Sequence, residues 1–148
     1  MKEKLPKSAV IGVGVAGGRY LDALSRAGNK TAFFETDPFR RQEISQRHPD
    51  TRVFTNLVEI TEWAEISYIC TPDDLHVEPA LAALAAGNTV LCEKPVTTSL
   101  EDASTLLSAR EKNNNSFFAG NNLRLTPTFN TVWEFVRRGD LGVLGSIW

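Results

Sequence analysis

Short runs rich in Val, Ile and Phe recur six times along the chain, each followed by a longer segment with helical spacing of apolar residues. The runs fall at residues 8–13, 31–35, 52–54, 66–70, 89–92 and 116–119. A short apolar run bounded by turn residues reads as a buried strand, and a longer periodic segment as a helix. Regular strand–helix alternation leads to a parallel sheet, because each helix carries the chain back to the end where the next strand must start. With right-handed crossovers the simplest solution is a doubly wound arrangement. The sequence therefore predicts an α/β fold: a doubly wound, mostly parallel sheet with helices on both faces.

Local signals set the helix ends. Gly28 closes the first helix, over residues 17–27. Asp37 before Pro38 reads as an N-cap followed by proline at the first helical position. That polar helix stops near Pro49, with His48 expected to face solvent. Asn56 caps a short helix carrying Leu57, Ile60 and Trp63. Residues 76–86 form the next helix, with Pro79 in the first turn where backbone N–H groups lack partners anyway. Ser99 with Asp102 approximates a capping box. Pro127 opens a last helix that Gly139 ends, and residues 145–148 begin a further extended run.

Composition removes several function classes. The 148 residues are 42% hydrophobic and 23% charged, with 16 basic against 18 acidic side chains and a net charge of -2. Such a balance offers no electrostatic case for nucleic acid or an anionic membrane. No apolar run approaches the roughly 18 residues of a membrane span. The basic, apolar start is interrupted by glycine where a signal peptide needs continuity, so a cytoplasmic protein is expected. Cys70 and Cys92 end apolar runs and lack metal-site spacing, so they read as buried thiols and no metal is expected.

Ligands of an open parallel sheet bind beyond the carboxyl ends of its strands. Four suggestive segments follow four of the predicted strands and converge on that edge. The first is GVGVAG at residues 12–17, comprising Gly12, Val13, Gly14, Val15, Ala16 and Gly17. Gly12 permits a tight turn, Gly14 admits a pyrophosphate to the backbone, and Gly17 lets the helix pack closely on the strand. The helix that follows points its N–H groups and dipole at the phosphates. The second segment is Glu35, 18 residues after Gly17, placed to accept hydrogen bonds from the adenosine ribose hydroxyls and to repel a 2′-phosphate. NAD is therefore expected over NADP. Asp37 is better explained as a cap. Arg40 and Arg41 read as a solvated helix face, although arginine also accommodates a 2′-phosphate.

The third segment is TPDDLH at residues 71–76. Thr71-Pro72 ends a strand sharply and exposes backbone to the crevice. His76 reads either as a cofactor contact or proton carrier, or as a helix-start residue hydrogen-bonded nearby. The fourth is CEKP at residues 92–95. A partly desolvated Lys94 suits proton transfer, and Glu93 suits tuning it or bonding the cofactor. A surface Glu–Lys pair is the plain alternative.

GVGVAG, ETDP at 35–38, TPDDLH, AALAAGNTVLCEKPVTTSLEDA at 82–103 and GNNLRLTP at 120–127 occur in an order that resembles the glucose–fructose oxidoreductase / inositol dehydrogenase / rhizopine-catabolism (Gfo/Idh/MocA) family. The resemblance spans nearly the whole chain, and TP…H…AG…EKP is its most specific part. It implies a Rossmann domain and an NAD(P)-dependent oxidoreductase acting on sugars, cyclitols or related polyols. It also implies that Lys94 is the active-site lysine and that Thr71, Pro72, Glu93 and Asn122 line the nicotinamide side. Arg124 falls near the family's domain junction.

By the same resemblance, residues 1–140 are the cofactor domain and 141–148 the start of a second, substrate-binding α/β domain. Two function classes follow: hydride transfer assisted by Lys94, or a non-catalytic dinucleotide-binding or regulatory module docked on a partner. A third, weaker reading is a family hydrolase that keeps NAD bound. The apolar tail at 141–148 suggests a homo-oligomer through strand pairing.

Overall fold

The computed structural model describes residues 5–114 and 116–145. Six strands and six helices alternate: β1 (Lys7–Ile11), α1 (Val15–Arg26), β2 (Lys30–Phe34), α2 (Pro38–Arg47), β3 (Arg52–Phe54), α3 (Leu57–Trp63), β4 (Ile66–Ile69), α4 (Val77–Ala85), β5 (Thr89–Cys92), α5 (Leu100–Asn113), β6 (Phe117–Ala119) and α6 (Pro127–Arg138). The strands form one sheet in the order β3-β2-β1-β4-β5-β6. Every neighbouring pair is parallel. The order reverses between β1 and β4, and a crevice opens beyond their carboxyl ends.

Alternate residues of the central strands supply the two cores. Ala9 and Ile11 of β1 pack with Ile60, Ala80, Leu84, Val90 and Leu106 beneath α3, α4 and α5. Val10 points the other way, into Val13, Leu21, Phe33 and Ile44 beneath α1 and α2. Both faces are thus buried over Ala9-Val10-Ile11 of β1 and Ala32-Phe33 of β2, which is why these stretches are apolar without alternation.

The caps form as their chemistry requires. Asp37 accepts from the N–H groups of Phe39 and Arg40, Asn56 from those of Val58 and Glu59, and Ser99 from that of Asp102. Helix α1 differs, because its N-cap is Gly14 and no side chain caps it. Its first-turn N–H groups therefore have no side-chain acceptor.

Helix α4, Val77–Ala85 with His76 and Ala86 at its ends, falls on the expected 76–86 with Pro79 in its first turn, and a 3-10 turn, Asp73–Leu75, precedes it. Two expectations need correction. His48 does not project into solvent: its side chain is 11% exposed, with Nε2 3.0 Å from Asp22 Oδ1 on α1. Helix α6 joins neither layer. It has no buried residue, and its apolar stripe of Phe129, Val132 and Trp133 is half exposed. Of the expected extended run at 145–148, residues 146–148 lie outside the described residues.

Candidate active site

The glycine loop is shaped by backbone contacts. Gly12 takes φ +84°, and its N–H donates to Phe34 O at 2.9 Å. A Cβ there would stand 2.7 Å from Thr71 N and 2.8 Å from Cys70 O. One at Gly17 would stand 1.9 Å from Gly12 O. These two positions let the loop lie against the end of β4 and α1 lie against the loop. Gly14 is different in kind: a Cβ there meets nothing within 4 Å. It faces open space at the uncapped end of α1, where N–H groups and the helix dipole favour an anion.

Around that space lies a cavity of about 890 Å³, bounded among others by Gly12, Gly14, Val15, Glu35, Thr71 and Pro72. The volume falls within the range of small-molecule and cofactor sites. Glu35 immediately follows β2 beside the loop. Its Oε2 accepts from Val13 N–H at 3.0 Å and its Oε1 from Asp37 N–H at 3.1 Å. A carboxylate offers about four acceptor sites. The loop contacts fix its orientation and leave acceptor capacity toward the cavity.

Arg40 and Arg41 correct the expectation of a solvated face. Arg40 Nε donates to Val13 O at 2.9 Å and its guanidinium also pairs with Glu43 at 2.8 Å, while the residue lines the cavity. Arg41 donates to Glu35 O at 2.7 Å. Both brace the acidic end of the site, Arg40 by joining α2 to the distant glycine loop and Arg41 by holding the turn just before its own helix.

The remaining candidates occupy the neighbouring loops. Ala16 and Gly17 sit in the first turn of α1, with Gly17 buried against the loop. His76 is wholly buried, with Nδ1 2.8 Å from Pro95 O and Nε2 2.9 Å from Thr71 O. Its ring clamps the loop after β4 to the loop after β5 and does not reach the cavity. Glu93 is 9% exposed and accepts from Tyr20 Oη at 3.0 Å and from Lys94 N–H at 3.2 Å. Lys94 is exposed on the turn after β5, and the Lys94–Pro95 peptide is cis. Asn122 is exposed in the 3-10 turn Asn122–Leu125 after β6, its N–H donating to Gly120 O at 2.9 Å. The cavity wall thus gathers the glycine loop, Glu35 and Thr71-Pro72. Glu93, Lys94 and Asn122 lie further along the same sheet edge, after β5 and β6.

Tyr20 and Cys70 were not among the sequence candidates. Tyr20 reads as one more apolar position of α1, yet its hydroxyl reaches Glu93, and its ring lies 5.3 Å from that of Tyr68. Burial, reinforced by the hydrogen bond to Glu93 and its charge, pushes the Tyr20 hydroxyl far up, so it stays a donor. Cys70 borders the cavity and Cys92 ends β5. Burial and then the Glu93 charge push the Cys70 thiol well up and the Cys92 thiol up to about 12. Neither is a nucleophile at neutral pH. Among the described residues no cluster of three or more His, Cys, Asp or Glu is placed to hold a metal, and no helix is long and apolar enough to cross a membrane.

A six-stranded parallel sheet in this order, with an uncapped glycine-rich helix start and an acidic residue just after β2, defines a dinucleotide-binding Rossmann domain. The residues fit such a cofactor: open space at Gly14 for phosphate, and a carboxylate with spare lone pairs for ribose. The chain belongs to the Gfo/Idh/MocA family, whose model, described as an oxidoreductase family with an NAD-binding Rossmann fold, matches residues 7–121. It is 28% identical over 137 residues to scyllo-inositol 2-dehydrogenase (NADP(+)) of Bacillus subtilis, covering 91% of this chain and 38% of that protein. It is 27% identical over 149 residues to inositol 2-dehydrogenase of Corynebacterium glutamicum (strain R), covering 95% of this chain and 44% of that protein. The apo scyllo-inositol dehydrogenase structure from Lactobacillus casei superimposes with a TM-score of 0.87 at 20% identity, covering 96% of this chain and 44% of that one. The chain therefore spans less than half the length of the relatives it matches.

Proposed function

We propose that this chain provides the cofactor-binding part of a dehydrogenase that transfers hydride between NAD and a hydroxyl-bearing carbon of a cyclitol, sugar or related polyol. The observation that carries this reading is the uncapped start of α1 with open space at Gly14, facing a cavity that Glu35 also borders. NAD, when bound, supplies the hydride chemistry, and the protein supplies binding and orientation. The N–H groups at the start of α1 hold the pyrophosphate. Glu35 accepts from the ribose hydroxyls and disfavours a 2′-phosphate, which supports NAD over NADP. Thr71 and Pro72 bound the cavity at the loop after β4. Lys94 holds or releases the proton of the substrate hydroxyl from the turn after β5. The relatives named as inositol dehydrogenases support the substrate class.

In this reading residues 1–140 form the cofactor domain and 141–148 lead into a substrate-binding domain. The protein works in the cytoplasm, as a homo-oligomer.

This chain alone is catalytically incomplete in this reading, so the test is turnover of a panel of inositols and aldoses with NAD, followed by NADH absorbance, in the protein that carries this domain together with its substrate-binding domain and in its Lys94→Ala variant. Turnover that falls at least 100-fold while NAD affinity is kept supports the assignment, on the order expected for loss of a positioned proton carrier. NAD binding without turnover of any polyol would favour a non-catalytic dinucleotide module instead. Unchanged turnover in the variant would remove Lys94 from the chemistry.

A further inference from the structure

We propose that Tyr20 is a positioning residue for Lys94, acting through the buried carboxylate of Glu93. The inference rests on the reading of Lys94 as the active-site amine. Tyr20 lies in the second turn of α1, the helix whose first turn forms the anion seat. Its hydroxyl donates to Glu93 Oε1 at 3.0 Å, and Glu93 Oε2 accepts from the Lys94 N–H at 3.2 Å. Each carboxylate oxygen therefore carries one donor, and the two donors come from different elements.

The carboxylate has little freedom to do anything else. Glu93 is 9% exposed. Gly120 closes it from the β6 side, where a Cβ would come within 3.2 Å of Glu93 Cα and 3.3 Å of its Cδ. A buried carboxylate needs its donors, because nothing replaces the lost hydration. Without the Tyr20 hydroxyl, Glu93 must turn or recruit water, and the Lys94 backbone loses a fixed acceptor. The same link joins the helix that seats the phosphates to the turn that carries the amine. The hydroxyl, not the ring, carries this role, so Tyr20→Phe removes it with little change in shape.

The test uses Tyr20→Phe in the 148-residue chain, with two readouts that need no substrate. Amide exchange at Lys94 is followed by NMR, and acylation of the Lys94 amine by mass spectrometry relative to the other lysines. The proposal expects Lys94 amide exchange to accelerate roughly tenfold, the scale of one lost hydrogen bond to a charged group. It also expects the relative acylation rate of Lys94 to change at least twofold, with NAD affinity by calorimetry held within about twofold because Tyr20 does not border the cavity. A Tyr20→Phe chain with unaltered Lys94 exchange and acylation would overturn it. If that variant does not fold, Tyr20→Leu, which also removes the hydroxyl, is read by the same two measurements and decides in the same way. Failure of the unmodified chain to bind NAD would count against the functional reading, whereas unchanged Lys94 behaviour counts against this inference alone.

Discussion

Gly14 stands at the N-cap of α1 and Gly17 lies three residues on in its first turn, and the structure predicts opposite consequences for the same substitution. In Gly17→Ala the new methyl would stand 1.9 Å from the Gly12 carbonyl oxygen. Both groups belong to the backbone, so no side chain can rotate away, and α1 must move off the loop by roughly 1 Å to restore contact distance. Overpacking of this kind costs roughly 1–3 kcal/mol, and the rigid neighbour argues for the upper half. Alanine's helix propensity offsets at most about 1 kcal/mol. A net loss of about 2 kcal/mol lowers the midpoint of thermal unfolding by roughly 4–8 °C in a chain of this length. NAD binding falls as well, since the first turn of α1 has shifted. In Gly14→Ala the methyl meets no protein atom and φ of -63° suits alanine, while ψ of -155° lies a little beyond the usual extended range. Stability should stay within about 1 kcal/mol, while NAD affinity drops at least tenfold because the methyl occupies the phosphate space. Calorimetry of unfolding and of NAD binding on both variants separates the two effects. A Gly17→Ala chain as stable as the parent would refute the packing argument, and normal NAD binding by Gly14→Ala would refute the seat.

Three further outcomes are expected. Glu35→Ala should weaken NAD roughly tenfold, on the scale of a charged hydrogen bond, and NADP less; calorimetric titration with both cofactors checks it, and equal losses would contradict the ribose assignment. His76→Ala takes away a wholly buried ring and the N–H it donates to the carbonyl of Thr71 or of Pro95, so unfolding midpoints in urea should show a loss of roughly 2 kcal/mol or more, and a loss below 0.5 kcal/mol would show the clamp to be idle. The thiols predict an alkaline limb. The unfolded chain loses these protons near the ordinary value of 9.0, whereas the folded chain keeps the Cys92 proton up to about 12. Their contribution is complete below pH 9 and is lost as pH rises toward 12, by about 1.4 kcal/mol per pH unit per thiol. Urea unfolding at pH 8 and 10.5 measures it, and a Cys92→Ala chain with an unaltered slope would exclude the assignment.

The sheet was legible because its strands are apolar on both faces and its helix ends carry strong local chemistry. Asp37, Asn56 and Ser99 cap the helices they precede, and the glycine loop falls where a strand meets a helix. What escaped the sequence reading came from contacts between distant segments. Arg40 sits in a polar helix that looks solvated, yet the fold brings it to Val13. Tyr20 matches an apolar helical face, and only the placement of β5 beside β4 brings Glu93 to its hydroxyl. His76 offered two readings that differ by which loop the ring meets, and its spacing from Pro95 carries no periodic signal. His48 follows a polar helix, so nothing local marks its contact with Asp22.

The central claim is that a dinucleotide sits on the uncapped start of α1. Backbone amide shifts during NAD titration test it residue by residue. The account predicts the largest shifts at Gly12, Gly14, Gly17, Glu35 and Thr71, saturating together, with little change at Asn29, Lys30 and Arg52 around the smaller cavity at the amino ends of β2 and β3. Saturation that moves those three residues and leaves the glycine loop unmoved would contradict the account.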